Sequence, residues 1–331
     1  MSKTLSQVNW GIIGCGDVTE GQSGPAFTKI PNSSLVAVMR RDVAKAKDYA
    51  QRHGVPKWYN DATQLIADPD VNAIYVATPP SFHEYFTLAA INAHKPVYVE
   101  KPMATHALSA MNMMKHAEDR QVKLVVAHYR RAQPLFRKIR QLLEEKAIGN
   151  VRLVNIQLYR QPLTAEELTN PGKTWRVDPK TAGGGLFHDL APHQLDILYH
   201  FFGEAAEVTG IARNQGGGYA ADDIVSGSIY FRSGVLMQGN WCFTVAQGLD
   251  RDTCEIIGTE GKIEFGFFDY RPITLWRNGK EETFSFEPLQ HVQQPMIEQV
   301  VKYFRGEAPN PNPAGDGVAV MSMIDKLAGL S

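Results

Sequence analysis

Asp189 and His193 are four residues apart and Asp196 follows three later, so on a helix the three share one face. A carboxylate beside an imidazole suits proton transfer to or from a reacting oxygen. Pro192 is tolerated only in a first helical turn, which predicts a helix opening near residues 190–192 with Asp189 as its cap. His193 then stands near the positive end of the helix dipole, which favours a neutral imidazole able to accept a proton. Other readings stand beside this one: Asp189 as a cap alone, His193 as a core histidine, or the three as a metal site. The metal reading is the weakest, because it offers one nitrogen and two carboxylates, with His188 and His200 on other faces. A cap and a catalytic group can be the same residue.

A second charged pair, Glu100-Lys101, follows the apolar strand 96–99 and precedes Pro102. It falls at the carboxyl end of a strand, where sheets of alternating β and α units bind ligands. A lysine there can act on a substrate oxygen, with Pro102 fixing the backbone that aims it; a surface ion pair is the plainer reading.

Gly14-Cys15-Gly16 closes the first apolar strand and opens a helical stretch with Asp17 and Val18. Gly14 permits a tight turn, and Gly16 lets the backbone approach a pyrophosphate, so these four residues are candidate dinucleotide contacts. Thr19 occupies the third position of the fingerprint in place of glycine or alanine, so the turn takes its meaning from its place at the head of a βα series. At the end of the second strand, where an acid would bond a ribose 2′-hydroxyl, the text reads Arg40-Arg41-Asp42. Guanidinium suits phosphate, which predicts a preference for NADP(H), with NAD(H) as the alternative if Asp42 serves as ribose acceptor.

These residues need a frame. Up to residue 128, apolar strands at 10–13, 35–39, 73–77, 97–99 and 124–127 alternate with helical stretches at 25–30, 43–53, 62–66, 82–93 and 107–120, the last capped by Thr105. That rhythm predicts a doubly wound parallel sheet of the Rossmann type. Beyond it, β-rich runs at 151–159, 224–231, 235–243, 254–257 and 263–265, with a Ser233-Gly234 turn, predict an α+β domain with an open, mostly antiparallel sheet. The expected division is 1–128 for dinucleotide binding and 129–331 for substrate binding and assembly.

Composition narrows the partners. A formal net charge of -1 over 331 residues offers no basic excess for nucleic acid or an anionic membrane. Three widely spaced cysteines define neither a disulfide framework nor a zinc ribbon, consistent with a reducing, cytoplasmic setting. No apolar run approaches the roughly 20 residues of a membrane span.

Taken together, Gly11 to Gly16, Ala77-Thr78-Pro79-Pro80 with His83, Glu100-Lys101-Pro102, Gly183 to Gly185 with Asp189 and His193, and Gly258-Thr-Glu-Gly261 resemble the glucose-fructose oxidoreductase and inositol dehydrogenase (Gfo/Idh/MocA) family over nearly the whole chain. The resemblance implies a nicotinamide-dependent dehydrogenase acting on sugars, cyclitols or related polyols, with Lys101, Asp189 and His193 at the chemistry. It also implies that Thr78, Pro79, His83 and Glu100 line the cofactor, that Tyr129 and Arg131 fall among substrate-pocket residues, and that the C-terminal sheet builds a homodimer or homotetramer. The segment with Trp175 and Arg176 is a further candidate for the pocket. Two departures from the family pattern are Arg40-Arg41 for the acidic residue of NAD-using members and Ala191-Pro192 for the glycine-containing stretch before the histidine.

The expected chemistry is hydride transfer to or from a secondary alcohol carbon. His193 is the acid/base, Lys101 stabilises developing alkoxide, and Asp189 positions the pair and helps hold Lys101 charged. A lysine of depressed pKa could exchange roles with His193. Two rivals come from other classes: a non-catalytic NADP-binding sensor, which has no use for Lys101, Asp189 and His193 together, and a metal-dependent hydrolase, which needs a fuller ligand cluster.

Overall fold

The computed structural model describes residues 4–330. It divides into two compact units, the first running to Arg130 and recovering Leu289–Val318, the second comprising Arg131–Pro288 and the residues from Ala319 on. A single cut after residue 128 therefore misplaces the stretch from Leu289 to Val318, which returns to the first unit.

In the first unit, β1 (Val8–Ile13), β2 (Ser33–Met39), β3 (Lys57–Tyr59), β4 (Ala73–Val76), β5 (Val97–Val99) and β6 (Leu124–Val126) form a sheet in the order β3-β2-β1-β4-β5-β6. All of its pairs are parallel. β4, β5 and β6 are buried at every residue, as sequences covered on both faces must be. The edge strand β3 was not anticipated; its Lys-Trp-Tyr sequence carries no apolar run. The crossovers are α1 (Asp17–Gly21), α2 (Val43–His53), α3 (Ala62–Ala67), α4 (His83–Asn92) and α5 (Ala107–Asp119). The helix expected at 25–30 is a 3-10 turn over Gly24–Thr28, and α5 is capped by His106, which accepts from Ser109 N, rather than by Thr105.

The core of this unit is a run of aromatic rings. Trp10 packs at 4.8 Å from Phe27, Phe27 at 5.2 Å from Tyr75, and Tyr75 stacks at 5.3 Å on Tyr98. Phe304 meets Trp10 at 5.5 Å.

The second unit opens with α6 (Pro134–Glu144) and β7 (Val151–Tyr159). Three short helices, α7 (Ala165–Thr169), α8 (Pro171–Thr174) and α9 (Pro179–Ala182), lead into α10 (Leu186–Phe202). Then come β8 (Ala205–Arg213), β9 (Ile224–Phe231), β10 (Leu236–Cys242), β11 (Arg251–Gly258), β12 (Gly261–Phe265), β13 (Ile273–Arg277) and β14 (Lys280–Phe284). The sheet order is β14-β13-β12-β11-β7-β10-β9-β8, and only the central β7–β10 pair is parallel. Strands β8, β13 and β14 were not foreseen. Their exposure explains this: β8 buries one residue of nine and β14 none of five, and β13 buries only Ile273 and Leu275, so no long apolar run marks them.

Along β7 and β10, Val154, Ile156, Leu158, Met237 and Trp241 are buried on one face. α10 covers part of that face, with Phe187 5.0 Å from Trp241 and the Trp241 indole N–H donating to Gln194 at 2.6 Å. The chain ends through α11 (Gln294–Phe304) and α12 (Ala314–Leu327). Among the described residues no helix is long and apolar enough to cross a membrane, and no group of three or more His, Cys, Asp or Glu is placed to hold a metal ion.

Candidate functional site

The first unit supplies a nucleotide-binding edge. β1 lies between β2 and β4, so the strand order reverses beside its carboxyl end, the switch point at which such sheets bind ligands. Gly14 takes φ +95 there, and a Cβ on it would lie 2.9 Å from the Ala77 carbonyl carbon and 2.8 Å from Thr78 Cγ2. Only glycine fits both the conformation and the approach. Gly16 differs: its φ is -127, and an added Cβ would meet nothing nearer than the Gly14 carbonyl oxygen at 4.0 Å. The chain itself does not need glycine at 16, which leaves room for a ligand against the backbone.

The third fingerprint position is used internally. Thr19 is buried, and its hydroxyl donates to Gly16 O at 2.8 Å while its own carbonyl accepts from Tyr49 at 2.8 Å. Helix α1, which begins with exposed Asp17, closes where Gln22 and Ser23 N–H reach Val18 O. Its five residues are too few to supply much dipole, so an anion would be held by the amides of the turn. Cys15 is buried and its thiol is pushed up to about 11 by burial, which removes it as a nucleophile.

The three residues after β2 have separate tasks. Arg40 Nη1 donates to Cys15 O at 3.1 Å, bringing this side chain to the glycine turn. Arg41 lies with its guanidinium carbon 5.4 Å from the centre of the Phe82 ring. Asp42 caps α2 by accepting from Lys45 N at 3.1 Å, which also lowers its carboxyl from the ordinary value. One oxygen of the acid that could bond a ribose is engaged at a helix end.

Around the carboxyl ends of β4 and β5 the candidate residues differ in how far the fold has filled their hydrogen-bonding positions. Thr78 Oγ1 is buried without a hydrogen-bond partner among the described residues, beside the glycine turn, which makes it a hydroxyl suited to a bound group. Pro79 caps the 3-10 turn Pro80–Phe82. His83 is fully buried, with Nε2 2.7 Å from Thr78 O and Nδ1 2.9 Å from Pro102 O. Burial pushes its imidazole down to about 4, against the opposing effect of those carbonyls. Both nitrogens face carbonyl oxygens inside the protein; the neutral ring donates its one N–H to one of them and packs against the other, so His83 sits between the two loops.

Glu100 is held inside the protein as well. Its Oε1 accepts from Tyr75 at 2.5 Å and from Gln293 at 2.6 Å, and its Oε2 from the Lys101 backbone N–H at 3.1 Å. Burial raises its carboxyl, with Lys101 and these donors opposing. Gln293 comes from the returning segment, and nothing in its local sequence signals this role. The Lys101–Pro102 peptide is cis. Tyr129 follows β6 and is buried, with the Arg130 guanidinium 5.6 Å from its ring centre.

In the second unit, α10 carries the proton-handling candidates, but its start corrects the sequence expectation. The cap is Gly185 (φ +81), Asp189 lies in the first turn with its N–H on Gly185 O, and Pro192 is inside the helix. Pro192 cannot donate to the carbonyl of His188, and burial of the helix on the sheet tolerates the loss. His193 consequently sits about two turns in, beyond the reach of the dipole. It is 4 % exposed, with the Phe268 ring at 5.8 Å and 74°.

Asp189 faces Arg176, whose Nε is 3.4 Å from Oδ2. Arg176 also lies 4.5 Å over Trp175 and donates to Gly172 O at 3.0 Å, so this pair from the short-helix segment braces the first turn of α10. Asp196 takes a different partner: Arg131 grips it through Nε at 3.0 Å to both oxygens and Nη2 at 2.6 Å, with both side chains buried. Arg131 thus spends its fork on a carboxylate of its own unit. Sequence reasoning missed both ion pairs, and also Phe268.

Comparisons with known proteins match separate models to the two halves of the chain. A family model described as an oxidoreductase family with an NAD-binding Rossmann fold matches residues 8–128, and one described as a GFO/IDH/MocA C-terminal domain matches 136–264. The chain is 42% identical over 326 residues to oxidoreductase P35 of Formosa agariphila, covering 98% of this chain and 99% of that protein. It is 30% identical to a 1,5-anhydro-D-fructose reductase of Ensifer adhaerens, covering 77% of this chain and 74% of the relative. Among solved structures, a levoglucosan dehydrogenase in complex with NADH and levoglucosan superposes with a TM-score of 0.85 at 21% identity, covering 98% and 97% of the two chains, a likeness of fold.

Proposed function

The chain belongs to the Gfo/Idh/MocA oxidoreductase family, and on that premise we propose that it moves a hydride to or from a secondary alcohol or carbonyl carbon of a sugar, cyclitol or related polyol, with NADP(H) as preferred cofactor. The observation that carries the cofactor assignment is the pair of unfilled features at the switch point: open backbone at Gly16 and the unpartnered hydroxyl of Thr78. The turn amides and Thr78 would hold the pyrophosphate region. Arg40 and Arg41 favour a 2′-phosphate, since guanidinium matches phosphate, and one oxygen of Asp42 is engaged as a helix cap. When bound, the nicotinamide supplies the two-electron carrier.

The chain's own work is then to position the substrate and move one proton. His193 is assigned that proton, being a buried imidazole aligned against an aromatic ring. Lys101 is assigned to the substrate oxygen, where an ammonium stabilises alkoxide charge as it develops. Asp189, paired with Arg176, is assigned to orientation. These three roles rest on the family resemblance and on the chemistry of each side chain. The sugar-like substrate is supported by the names of relatives that act on an anhydrofructose and on levoglucosan. Self-association as a homodimer or homotetramer through the second sheet, whose strands expose Ile211, Tyr230, Leu236 and Trp276, belongs to the same reading.

A panel of aldoses, polyols, inositols and anhydro sugars, assayed with NADP(H) and NAD(H) through reduced-nicotinamide absorbance, tests the proposal. Turnover on a polyhydroxylated substrate with the phosphorylated cofactor supports it. Turnover with NAD(H) alone removes the cofactor preference, and no turnover on any member removes the substrate class.

A further inference from the structure

Arg41 differs from other arginines at the nucleotide edge. Arg40 is tied to the carbonyl of Cys15, whereas Arg41 has no hydrogen bond or ion pair among the described residues. Its one recorded contact is with the Phe82 ring, at 5.4 Å from guanidinium carbon to ring centre. Phe82 is 36% exposed, a large apolar ring kept at the surface at the end of the turn that follows the Thr78 loop. A guanidinium held by an aromatic face keeps its in-plane N–H groups available, and these are the groups that fork onto a phosphate. Without such a support, a long exposed side chain loses several rotatable bonds of freedom on gripping an anion.

We propose that Phe82 is a specificity-determining positioning residue: its ring pre-orients Arg41 so that the guanidinium edge receives the 2′-phosphate of the cofactor's adenosine. This rests on the NADP(H) reading above. Phe82 itself need not touch the phosphate, and its effect is confined to ligands that carry one.

The test is calorimetric titration of the full-length protein with adenosine 2′,5′-bisphosphate and with adenosine 5′-monophosphate, which differ only in the 2′-phosphate. Arg41→Gln should lower affinity for the bisphosphate by about tenfold. Phe82→Ala should lower it by about three- to fivefold, leave the monophosphate unchanged, and be rescued by Phe82→Tyr, which keeps the ring. Phe82 is a surface residue, and Phe82→Leu supplies a second variant that retains bulk without the π face. Equal loss for both nucleotides, or full bisphosphate affinity in Phe82→Ala and Phe82→Leu while Arg41→Gln is impaired, overturns the role of Phe82 alone. A wild-type protein that does not distinguish the two nucleotides overturns the NADP(H) reading and this inference with it.

Discussion

Nε2 of His83 stands 2.7 Å from the carbonyl oxygen of Thr78, and through Nδ1 the same buried ring reaches the carbonyl of Pro102. One imidazole thereby links the loop after β4 to the loop after β5, the two that carry Thr78 and Lys101. The link has a pH consequence. His83 has its pKa lowered by burial from 6.5 to about 4, so between those values the unfolded chain binds more protons and stability rises with pH. The contribution is present above the unfolded value and is lost as pH falls toward the folded one, amounting to about 3 kcal/mol. Buried His188, likewise pushed down to about 4, acts in the same window. Denaturant unfolding at pH 7.5 and pH 4.5 should show a clear loss at the lower pH, and His83→Gln should flatten the dependence. An equal slope in that variant argues against this link.

Gly14 and Gly16 should respond oppositely to alanine. Gly14→Ala places a Cβ at left-handed φ against the Ala77 backbone, and should cost about 2 kcal/mol or more of stability. Gly16→Ala meets no protein atom closer than 4.0 Å, so its melting temperature should stay close to wild type while cofactor affinity falls at least about tenfold. Calorimetry and cofactor titration separate the two; unchanged affinity in Gly16→Ala would falsify the assignment of this turn to a dinucleotide.

His193→Ala should lower kcat by on the order of a hundredfold if the imidazole manages the proton, with cofactor affinity preserved. Near-normal turnover would transfer the role to Lys101, for which Lys101→Met is the companion variant.

The Arg131–Asp196 pair is buried on both sides, so removing one partner costs the buried charge its bidentate ion pair. Asp196→Asn should destabilise the protein by about 3 kcal/mol, whereas the double change Arg131→Met with Asp196→Leu should recover most of that. Denaturation midpoints of the three proteins decide it. A double variant as weak as the single one would mean that Arg131 has a further duty.

Cofactor preference tests the second strand end. Arg40→Asp should reduce kcat/KM for NADP(H) more than for NAD(H), since it places an acid where a 2′-phosphate would arrive. A uniform reduction with both cofactors would assign Arg40 to holding the Cys15 carbonyl alone.

Much of the frame was legible because burial on both faces requires apolar strands. β4, β5 and β6 carry no charged residue and are apolar apart from the hydroxyls of Tyr75 and Tyr98, and their boundaries were readable to within a residue. The strands β8, β13 and β14 were not, because a largely exposed strand needs few apolar residues, and the one short alternation, in β13, is weak against ordinary sequence. Pro192 misled for a related reason. Its local rule places a helix start, but the burial of Ala191, Pro192, His193 and Gln194 outweighs one missing backbone bond.

By itself, the sequence determined which groups this protein has for chemistry and on what kind of element each lies: glycines after an apolar strand, a lysine after β5, an aspartate and a histidine one helical turn apart. Tertiary structure decided what each group is free to do. His83 and Glu100 became supports because carbonyls and donors from distant loops surround them, Asp42 became a cap, and Asp196 was claimed by Arg131. The cap on Asp42 is local, but Arg131 lies 65 residues from Asp196 and Gln293 lies 193 from Glu100, and local spacing carries no record of such partners. A side chain's role is fixed by which of its hydrogen-bonding positions the fold has already filled.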